Sequence, residues 1–407
     1  MRISTGQLYD RSIQSVLNNQ AELSDIQQQL SSGKKLLRPS DDPVGSAQVI
    51  RLTEEIDLIT QYKKNSNLLT NSLEQEETVL SSVNNAIDRA RVLMVQSGNG
   101  IMSADDKNAI AIEIAQIRDQ VFDLMNSRNP SGEYIFAGFQ SASPAFSFNA
   151  SSPGNLYNFE GDGGQNEIQV SDTVSLKMNN SGQEVFENVY SRLKTSITGS
   201  VGATSASLEI QGQSAFDKFH SNNYDAITPA NNEFQVTIIS PTQAEITNVG
   251  TGAVLDTVDF ASGSTLLYQG LEFNISGTTG DTVNFQLEQP EKKNIAETLN
   301  DFVEALTNEN ISNSDFDEAL ADALTGVDNS KTSIGNAISQ IGGRRNSADS
   351  VLSSNLDLEI ANKTARSNIE EVDYAEAVSE LSRQETALQA AQATFTRVTG
   401  TSLFDYI

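Results

Sequence analysis

Two adjacent aspartates, Asp41 and Asp42, are the residues near the start of the chain whose type and spacing could do chemistry. A pair of carboxylates can exchange protons or bind a cation. The pair also lies directly before Pro43, and proline is favoured in the first turn of a helix, where free N–H groups attract acidic side chains. The structural interpretation is favoured, so Ser40 or Asp41 is predicted to cap a helix that begins near Pro43.

The stretch GDGGQNE at 161–167 offers a second set of oxygen ligands. Its spacing does not match an EF-hand loop, so a β-turn is predicted, with a calcium site as the alternative. The four oxygen-bearing residues are Glu160, Asp162, Asn166 and Glu167.

The composition excludes several kinds of site. The chain has no cysteine, which rules out disulfides, thiolate nucleophiles and cysteine-based zinc sites. Its one histidine, His220, rules out a two-histidine metal cluster and is predicted to be a packing residue. No phosphate-binding loop, dinucleotide fingerprint or nucleophile elbow occurs. The sequence therefore predicts a protein that is not an enzyme and that binds no cofactor or metal.

The charge balance bears on partners. The chain carries 26 basic and 54 acidic side chains, a formal charge of −28, which disfavours nucleic acid and anionic membranes as partners. No stretch approaches about 18 consecutive apolar residues, so no membrane span is predicted. The start, MRISTGQLYDRSIQ, lacks the pattern of a cleavable secretory signal.

The first 130 residues show helical periodicity. Val16, Leu23 and Leu30 recur every seven residues and form a thin apolar stripe on a polar helix. Seven-residue steps from Leu52 to Met94 predict a second, much longer helix after Pro43. A third helix is predicted between a cap at Ser103 and Pro130.

The middle of the chain changes character from about residue 132 to residue 288. Apolar residues alternate with polar ones, as in Phe234, Val236 and Ile238, and glycine-rich turn clusters separate these runs. Such alternation predicts a region of short β-strands.

Helical periodicity returns after Pro290. The pair Gly342 and Gly343 is a predicted weak point, because two glycines cost roughly 2 kcal/mol of helix propensity relative to alanine. The last helix has a stripe with strict seven-residue spacing, formed by Tyr374, Leu381, Leu388 and Phe395.

These patterns predict an α+β fold, a long antiparallel helical coiled-coil rod built from both termini with an inserted β-rich domain. The two terminal helices, which carry matched thin stripes, are expected to lie side by side. The predicted segments are a terminal helix with its joint at 1–42, the rod at 43–140, the inserted β-rich domain at 141–289, the returning rod at 290–365 and a second terminal helix at 366–407.

The narrow stripes suggest assembly, because an isolated helix with a narrow apolar face is marginal in water. Packing within one chain is the alternative that periodicity leaves open. The residues predicted to act in assembly are Val16, Leu23, Leu30, Asp41, Asp42, Tyr374, Leu381, Leu388, Phe395 and Phe404.

Two long stretches carry a resemblance to a known family. LSSGKKLLRPSDDPVGSAQVIRL at 30–52 resembles the signature of bacterial flagellins and their relatives. IGGRRNSADSVLSSNLDLEIANKTARSNIEEVDYAEAVSEL at 341–381 resembles the C-terminal core of the same family. The resemblance covers roughly 1–140 and 290–407.

Three motifs favour one branch of that family, the proteins at the junction of hook and filament. They are GEYIFAGFQSASPAF at 132–146, DYAEAVSEL at 373–381 and ALQAAQATFTRVTGTSLFDYI at 387–407. The resemblance implies an extracellular flagellar subunit that is exported by the flagellar type III apparatus without a cleaved signal. It implies that the terminal helices form an inner tube, the rod the next shell and the β-rich domain the outer face.

The resemblance also implies partners. They are hook-associated protein 1, flagellin, copies of the chain itself in a helical ring and an export chaperone. The stretch 33–45 is interpreted as a joint that sets the angle between two helices, with Asp41 and Asp42 capping and contacting neighbouring subunits. A bulk filament subunit and a secreted binding module that uses the β-rich domain remain alternatives.

Overall fold

The computed structural model of the protein describes residues 5–99, 102–152 and 154–400. The helices are α1 (Thr5–Ser32), α2 (Pro43–Ser97), α3 (Ala104–Met125), α4 (Gln213–Asn223), α5 (Ile295–Thr307), α6 (Asn313–Glu370) and α7 (Tyr374–Gly400). The strands are β1 (Phe146–Phe148), β2 (Tyr157–Phe159), β3 (Glu167–Gln169), β4 (Ser175–Lys177), β5 (Thr195–Val201), β6 (Ser205–Ile210), β7 (Glu233–Ser240), β8 (Gln243–Asn248), β9 (Val254–Asp259), β10 (Thr265–Tyr268), β11 (Leu271–Ser276) and β12 (Thr282–Leu287).

The chain divides into two compact units, and α2 and α6 contribute residues to both. The first unit comprises Met1–Thr70, Glu167–Leu176 and Arg344–Ile407. The second comprises Asn71–Asn166 and Lys177–Gly343.

The first unit is built from two antiparallel helix pairs. The rings of Tyr9 and Phe395 lie 5.3 Å apart at one end of the α1–α7 pair, and the Tyr374 hydroxyl lies beside Gly33 at the other. The start of α1 therefore packs on the end of α7, which confirms that the two terminal helices lie side by side. In the second pair, Lys63 of α2 bonds to Glu359 of α6 at 3.2 Å.

The second unit contains the β-rich region. One antiparallel sheet has the order β5-β12-β7-β8-β9 and another has the order β10-β11-β6. Phe234 of β7 pairs with Phe285 of β12, and Val236 pairs with Val283. All four side chains are buried, so the predicted alternation corresponds to strands that share one core.

The helical part of the second unit fills its own core with the predicted seven-residue repeat. Leu73, Leu80, Ile87 and Met94 of α2 are fully buried. The predicted cap of α3 is confirmed, because Ser103 and Asp106 form a reciprocal capping box.

The glycine pair Gly342 and Gly343 does not interrupt α6, which runs for 58 residues. Packing overrides propensity here, since Ile341 and Ala348 on either side are 0% and 1% exposed. The helix ends at Glu370.

The α+β class is confirmed, with long helices toward both ends and a β-rich region between them. The five predicted segment boundaries stay predictions. None of the helices in the described residues is long and apolar enough to span a membrane.

Candidate assembly surface

The side chains that could have done chemistry take structural roles. Asp162 accepts hydrogen bonds from the backbone N–H groups of Phe139 and Gly164, each at 2.8 Å, and so organises a turn. Within the described ranges, no group of three or more His, Asp or Glu side chains is placed to hold a metal ion. His220 is 1% exposed, bonds through Nε2 to the Glu288 carbonyl at 2.8 Å and stacks on Tyr224.

The joint between α1 and α2 spans residues 33–42. Gly33 adopts φ 71°, the left-handed conformation that ends a helix at little cost only in glycine, and its N–H donates to the Gln29 carbonyl at 2.8 Å. The chain can then turn away from α1 before Pro43 begins α2.

A second link, residues 371–373 between α6 and α7, lies against this joint. Lys35 N–H donates to the Glu370 carbonyl at 2.7 Å, and Val372 N–H donates to the Gly33 carbonyl at 3.0 Å. The Lys34 ammonium lies 2.5 Å from a Glu370 carboxylate oxygen. Two backbone hydrogen bonds and an ion pair therefore hold the two links together.

The capping residue of α2 is Asp42. Its Oδ1 accepts from Val44 N–H at 3.1 Å and from Gly45 N–H at 2.9 Å. Asp41 instead accepts from Arg38 N–H at 2.9 Å and closes the turn before it. The cap predicted at Ser40 or Asp41 is wrong, because α2 begins at Pro43 and the capping position is the residue directly before it. The capping role that the family resemblance implied for Asp42 agrees with these hydrogen bonds.

The link at 371–373 was not predicted. Asp373 Oδ1 accepts from Ala375 N–H at 2.9 Å and from Glu376 N–H at 3.3 Å, which caps α7. An acidic residue followed three positions later by glutamate is a helix-start signal, and the sequence Asp373-Tyr-Ala-Glu carries it.

The seam between α1 and α7 is incompletely buried. The stripe residues Val16, Leu23 and Leu30 of α1 are half-buried, and so are Leu381, Leu388 and Phe395 of α7. Tyr374, the first residue of the α7 stripe, is 58% exposed. Among the side chains of the pair that the structure describes, only Ile26 and Ala377 are classed as buried.

Other apolar side chains on the pair are partly exposed, including Tyr9, whose ring also contacts Phe395. Tyr9 is 44% exposed, Leu17 is 53% exposed and Val378 is 51% exposed. The apolar stripe residues of this helix pair are only half-buried, and further apolar side chains on the pair are exposed. The pair can therefore bury more apolar surface against another helix. We call this set of half-buried and exposed apolar side chains on α1 and α7 the terminal-pair surface.

The predicted assembly residues therefore fall into three places. Six lie along the seam with Tyr374 at its end, and Asp41 and Asp42 lie in the joint. Phe404 lies outside the described residues. The assembly role of all ten stays a prediction.

Two carboxylates of the helix pairs, Glu359 and Glu380, accept hydrogen bonds from neighbouring basic side chains. Hydrogen bonds from Lys363 and then Lys63 lower the pKa of Glu359. A hydrogen bond from Arg383, followed by one from Gln384, lowers the pKa of Glu380 on α7. These carboxylates stay ionised at neutral pH.

Comparison with known proteins identifies two family regions in the chain. The bacterial flagellin N-terminal helical region matches residues 3–141, and the bacterial flagellin C-terminal helical region matches residues 318–407. Together the two matches cover more than half of the chain.

Among curated relatives, flagellar hook-associated protein 3 of Salmonella typhimurium is 33% identical over 193 residues, which are 47% of this chain and 58% of that protein. The flagellar filament 41 kDa core protein of Borreliella burgdorferi is 36% identical over 103 residues, which are 25% of this chain and 31% of that protein. The chain thus spans less than two thirds of the length of either relative.

The fold is similar to a solved structure. The crystal structure of flagellar hook-associated protein 3 from Legionella pneumophila matches with a TM-score of 0.59 at 21% identity, covering 79% of this chain and 99% of that one. At this identity the likeness concerns the fold. The fold and the two matched end regions agree, and the chain belongs to the bacterial flagellin family.

Proposed function

We propose that the chain is a structural subunit of the bacterial flagellum that joins the hook to the flagellin filament. The single observation that carries this proposal is the terminal-pair surface. Its stripe residues are half-buried in one copy, whereas the repeat of α2 in the second unit and the alternating residues of the β-rich region are fully buried. Copies that pack α1 and α7 against one another would bury the remaining apolar surface.

The proposed partners are hook-associated protein 1 on one side, flagellin on the other and copies of the chain in a helical ring. The longer match to a hook-associated protein, 47% of this chain against 25% for the filament protein, favours the junction over the bulk filament. A head-to-tail contact that repeats along a helix propagates a tube, and two unlike axial faces let unlike polymers meet.

The proposed site of action is outside the cell, with export through the flagellar type III apparatus and a chaperone that holds the C-terminal region beforehand. A terminal pair with few buried side chains supports this route, because such helices open at low cost.

Electron microscopy of a deletion strain, combined with an assay for flagellin in the medium, tests the proposal. We expect hooks without filaments and flagellin monomer in the medium, both reversed by the intact chain. Intact filaments in the deletion strain would overturn the proposal.

A bulk filament subunit is the second candidate, favoured by the match of both ends to flagellin itself. It predicts hooks without filaments and no flagellin in the medium. It also predicts that the purified chain grows long filaments on seeds, whereas a junction subunit stops after a short ring.

A further inference from the structure

Two chain segments in the second unit lead into and out of the larger β-sheet. They are residues 189–194, which precede β5, and residues 288–293, which follow β12. Backbone hydrogen bonds join them, among them one from Ser191 N–H to the Glu291 carbonyl at 3.0 Å. We call this paired set of segments the neck.

Two cavities open beside the neck, one of about 440 Å³ and one of about 720 Å³. Tyr190, Tyr224 and Pro290 line both of them, so the cavities adjoin across an aromatic wall. Each volume falls within the range of ligand-binding cavities, roughly 300–1,000 Å³. We call the two adjoining cavities the neck cleft.

The tyrosine rings of the wall are held in place. Tyr224 stacks on His220 with ring centroids 5.0 Å apart and planes at 14°. His220 is 1% exposed and is itself fixed by the bond from its Nε2 to the Glu288 carbonyl. The Lys292 ammonium lies 5.2 Å from the ring centroid of Tyr190, which stays 54% exposed. Aromatic rings that are fixed before binding supply contact area at little cost in side-chain entropy.

Polar side chains beside the rings keep part of their hydrogen-bonding capacity. Asp217 accepts from Gln213 Nε2 at 2.8 Å through Oδ1, and a carboxylate has about four acceptor sites. Asn329 Nδ2 donates to the Tyr190 carbonyl at 2.7 Å, which leaves the side-chain oxygen of Asn329 to accept. Ser221 adds an exposed hydroxyl. These groups can pair with hydroxyl groups of a ligand.

The charges of the neck cleft are balanced. The Arg192 side chain is 6% exposed and lies 2.6 Å from Asp322 and 3.1 Å from Glu318, so its charge is compensated within the protein. The other charged side chains of the lining include both signs: Asp217, Glu291, Lys292 and Lys293. Because neither sign dominates, an uncharged ligand is favoured over an anion or a cation.

The backbone beside the cleft offers little to a peptide. Extended peptides bind chiefly by adding a strand to an exposed sheet edge. The two segments of the neck already pair with each other. The Tyr190 and Leu193 carbonyls accept from the side chains of Asn329 and Gln213, at 2.7 and 3.3 Å. Recognition is therefore left to ring faces and to polar side chains.

We propose that the neck cleft binds an uncharged oligosaccharide. The C–H face of a sugar ring packs on an aromatic face, and its hydroxyl groups exchange hydrogen bonds with carboxylate, amide and hydroxyl side chains. Tyr190 and Tyr224 supply the faces, Asp217 and Asn329 accept from the hydroxyls, and the two adjoining cavities accommodate more than one ring. This inference goes beyond the proposed function, because the cleft uses no residue of the terminal-pair surface.

Binding of the purified chain to immobilised oligosaccharides tests the proposal. The probes are cello-, chito-, malto- and galacto-oligosaccharides, with polygalacturonate as an anionic comparison. We expect saturable binding to at least one of the four uncharged series. Tyr190→Ala should weaken that binding about tenfold or more. Because Tyr190 is half exposed, its truncation should leave the chain folded, and a melting curve of the variant checks this.

Phe139→Ala is the matched control, because Phe139 is 64% exposed and is not part of the neck cleft. It should bind as the unaltered chain does. A second variant, Ser221→Trp, keeps both tyrosines and fills the smaller cavity from an exposed position on α4. It should weaken binding at least as much as Tyr190→Ala.

The proposal would be overturned by a lack of binding to all four uncharged series, or by binding to polygalacturonate alone. Equal affinities of the Tyr190→Ala and Phe139→Ala variants would also overturn it. A deletion strain that carries Tyr190→Ala should still form filaments. Failure of the junction function would be seen separately, as filaments that persist in the deletion strain without any copy of the chain.

Discussion

The seam between α1 and α7 and the core of the β-rich region bury their apolar side chains to very different extents. The β-rich region closes a core of sixteen buried residues, with Phe234, Phe273 and Phe285 fully enclosed. The α1–α7 pair is much longer than any strand, yet its stripe residues are only half-buried. One region buries its apolar side chains within a single copy, and the other leaves apolar surface that we propose is covered by helices of other copies.

Removal of residues 374–407 tests this contrast most severely, because it deletes one whole helix of the pair. We expect complete loss of filament attachment, while the β-rich region keeps its thermal unfolding transition. Swimming assays and calorimetry of the purified chain would measure the two effects. Normal motility would contradict the assembly role of the pair.

Leu388→Asp should also block assembly, since it places a charge where packed copies would exclude water. In the isolated chain the half-buried site keeps the charge hydrated, so we expect the free energy of unfolding to change by only about 1 kcal/mol or less. The matched control is Gln389→Asp, a charge on the exposed neighbour. Equal filament counts by microscopy for the two variants would argue against the seam.

Phe285→Ala should have a large effect on folding stability, unlike Leu388→Asp. Its side chain is fully buried, so truncation should lower the free energy of unfolding of the β-rich region by about 3–5 kcal/mol. Phe395→Ala in the half-buried seam should cost about 1 kcal/mol or less in the same urea titration. Similar losses for both would show that the two regions do not differ in the way described.

Asp42→Ala sharpens the comparison at the joint. Loss of the two hydrogen bonds to Val44 and Gly45 should destabilise the start of α2 by roughly 1 kcal/mol. Hydrogen exchange at those amides would report it. Asp41→Ala is the control and should leave both amides protected.

The smallest expected effect is an opposite pH dependence in the two units. Burial raises the pKa of Glu187 in the second unit, against a hydrogen bond from Asn294. The folded state then binds more protons, and stability falls as pH rises from the ordinary pKa of 4.5 through the raised value. Glu187→Gln should therefore raise the melting temperature at pH 7 and leave it unchanged at pH 4.

Glu359 in the first unit has the opposite sign. Lys363 and Lys63 lower its pKa, so its stabilisation is present above 4.5 and is lost as pH falls through the lowered value. Glu359→Gln should lower the melting temperature at pH 7, and the difference should shrink in acid. The same sign of change at pH 7 for both variants would contradict this pair of predictions.

Periodic patterns made part of this structure predictable. The repeat through Leu73, Leu80 and Ile87 identified a buried helix, and alternation at Val283, Phe285 and Leu287 identified a strand. β9 could not be found this way, because both of its faces are largely exposed and no alternation results. The link at 371–373 was hidden because the apolar repeats of α6 and α7 continue close to it on both sides.

The residue that caps α2 and the contacts of the GDGG cluster could not be predicted from the sequence alone. Asp41 and Asp42 are chemically identical, and only the helix start decides which of them caps. The GDGG cluster was predicted to be a turn. Its contact with the Phe139 ring joins Phe139 and Gly164, which lie 25 positions apart in the sequence.

The hydrogen bonds that hold the joint to the link have a mechanical consequence. A single linker can rotate about its backbone bonds, so the helices on either side of it can turn independently of each other. The joint and the link at 371–373 are held to each other by the hydrogen bonds of Lys35 and Val372. Rotation of one of these segments must therefore carry the other with it. Twist applied to α1 and α7 is therefore expected to pass on to the start of α2 and the end of α6.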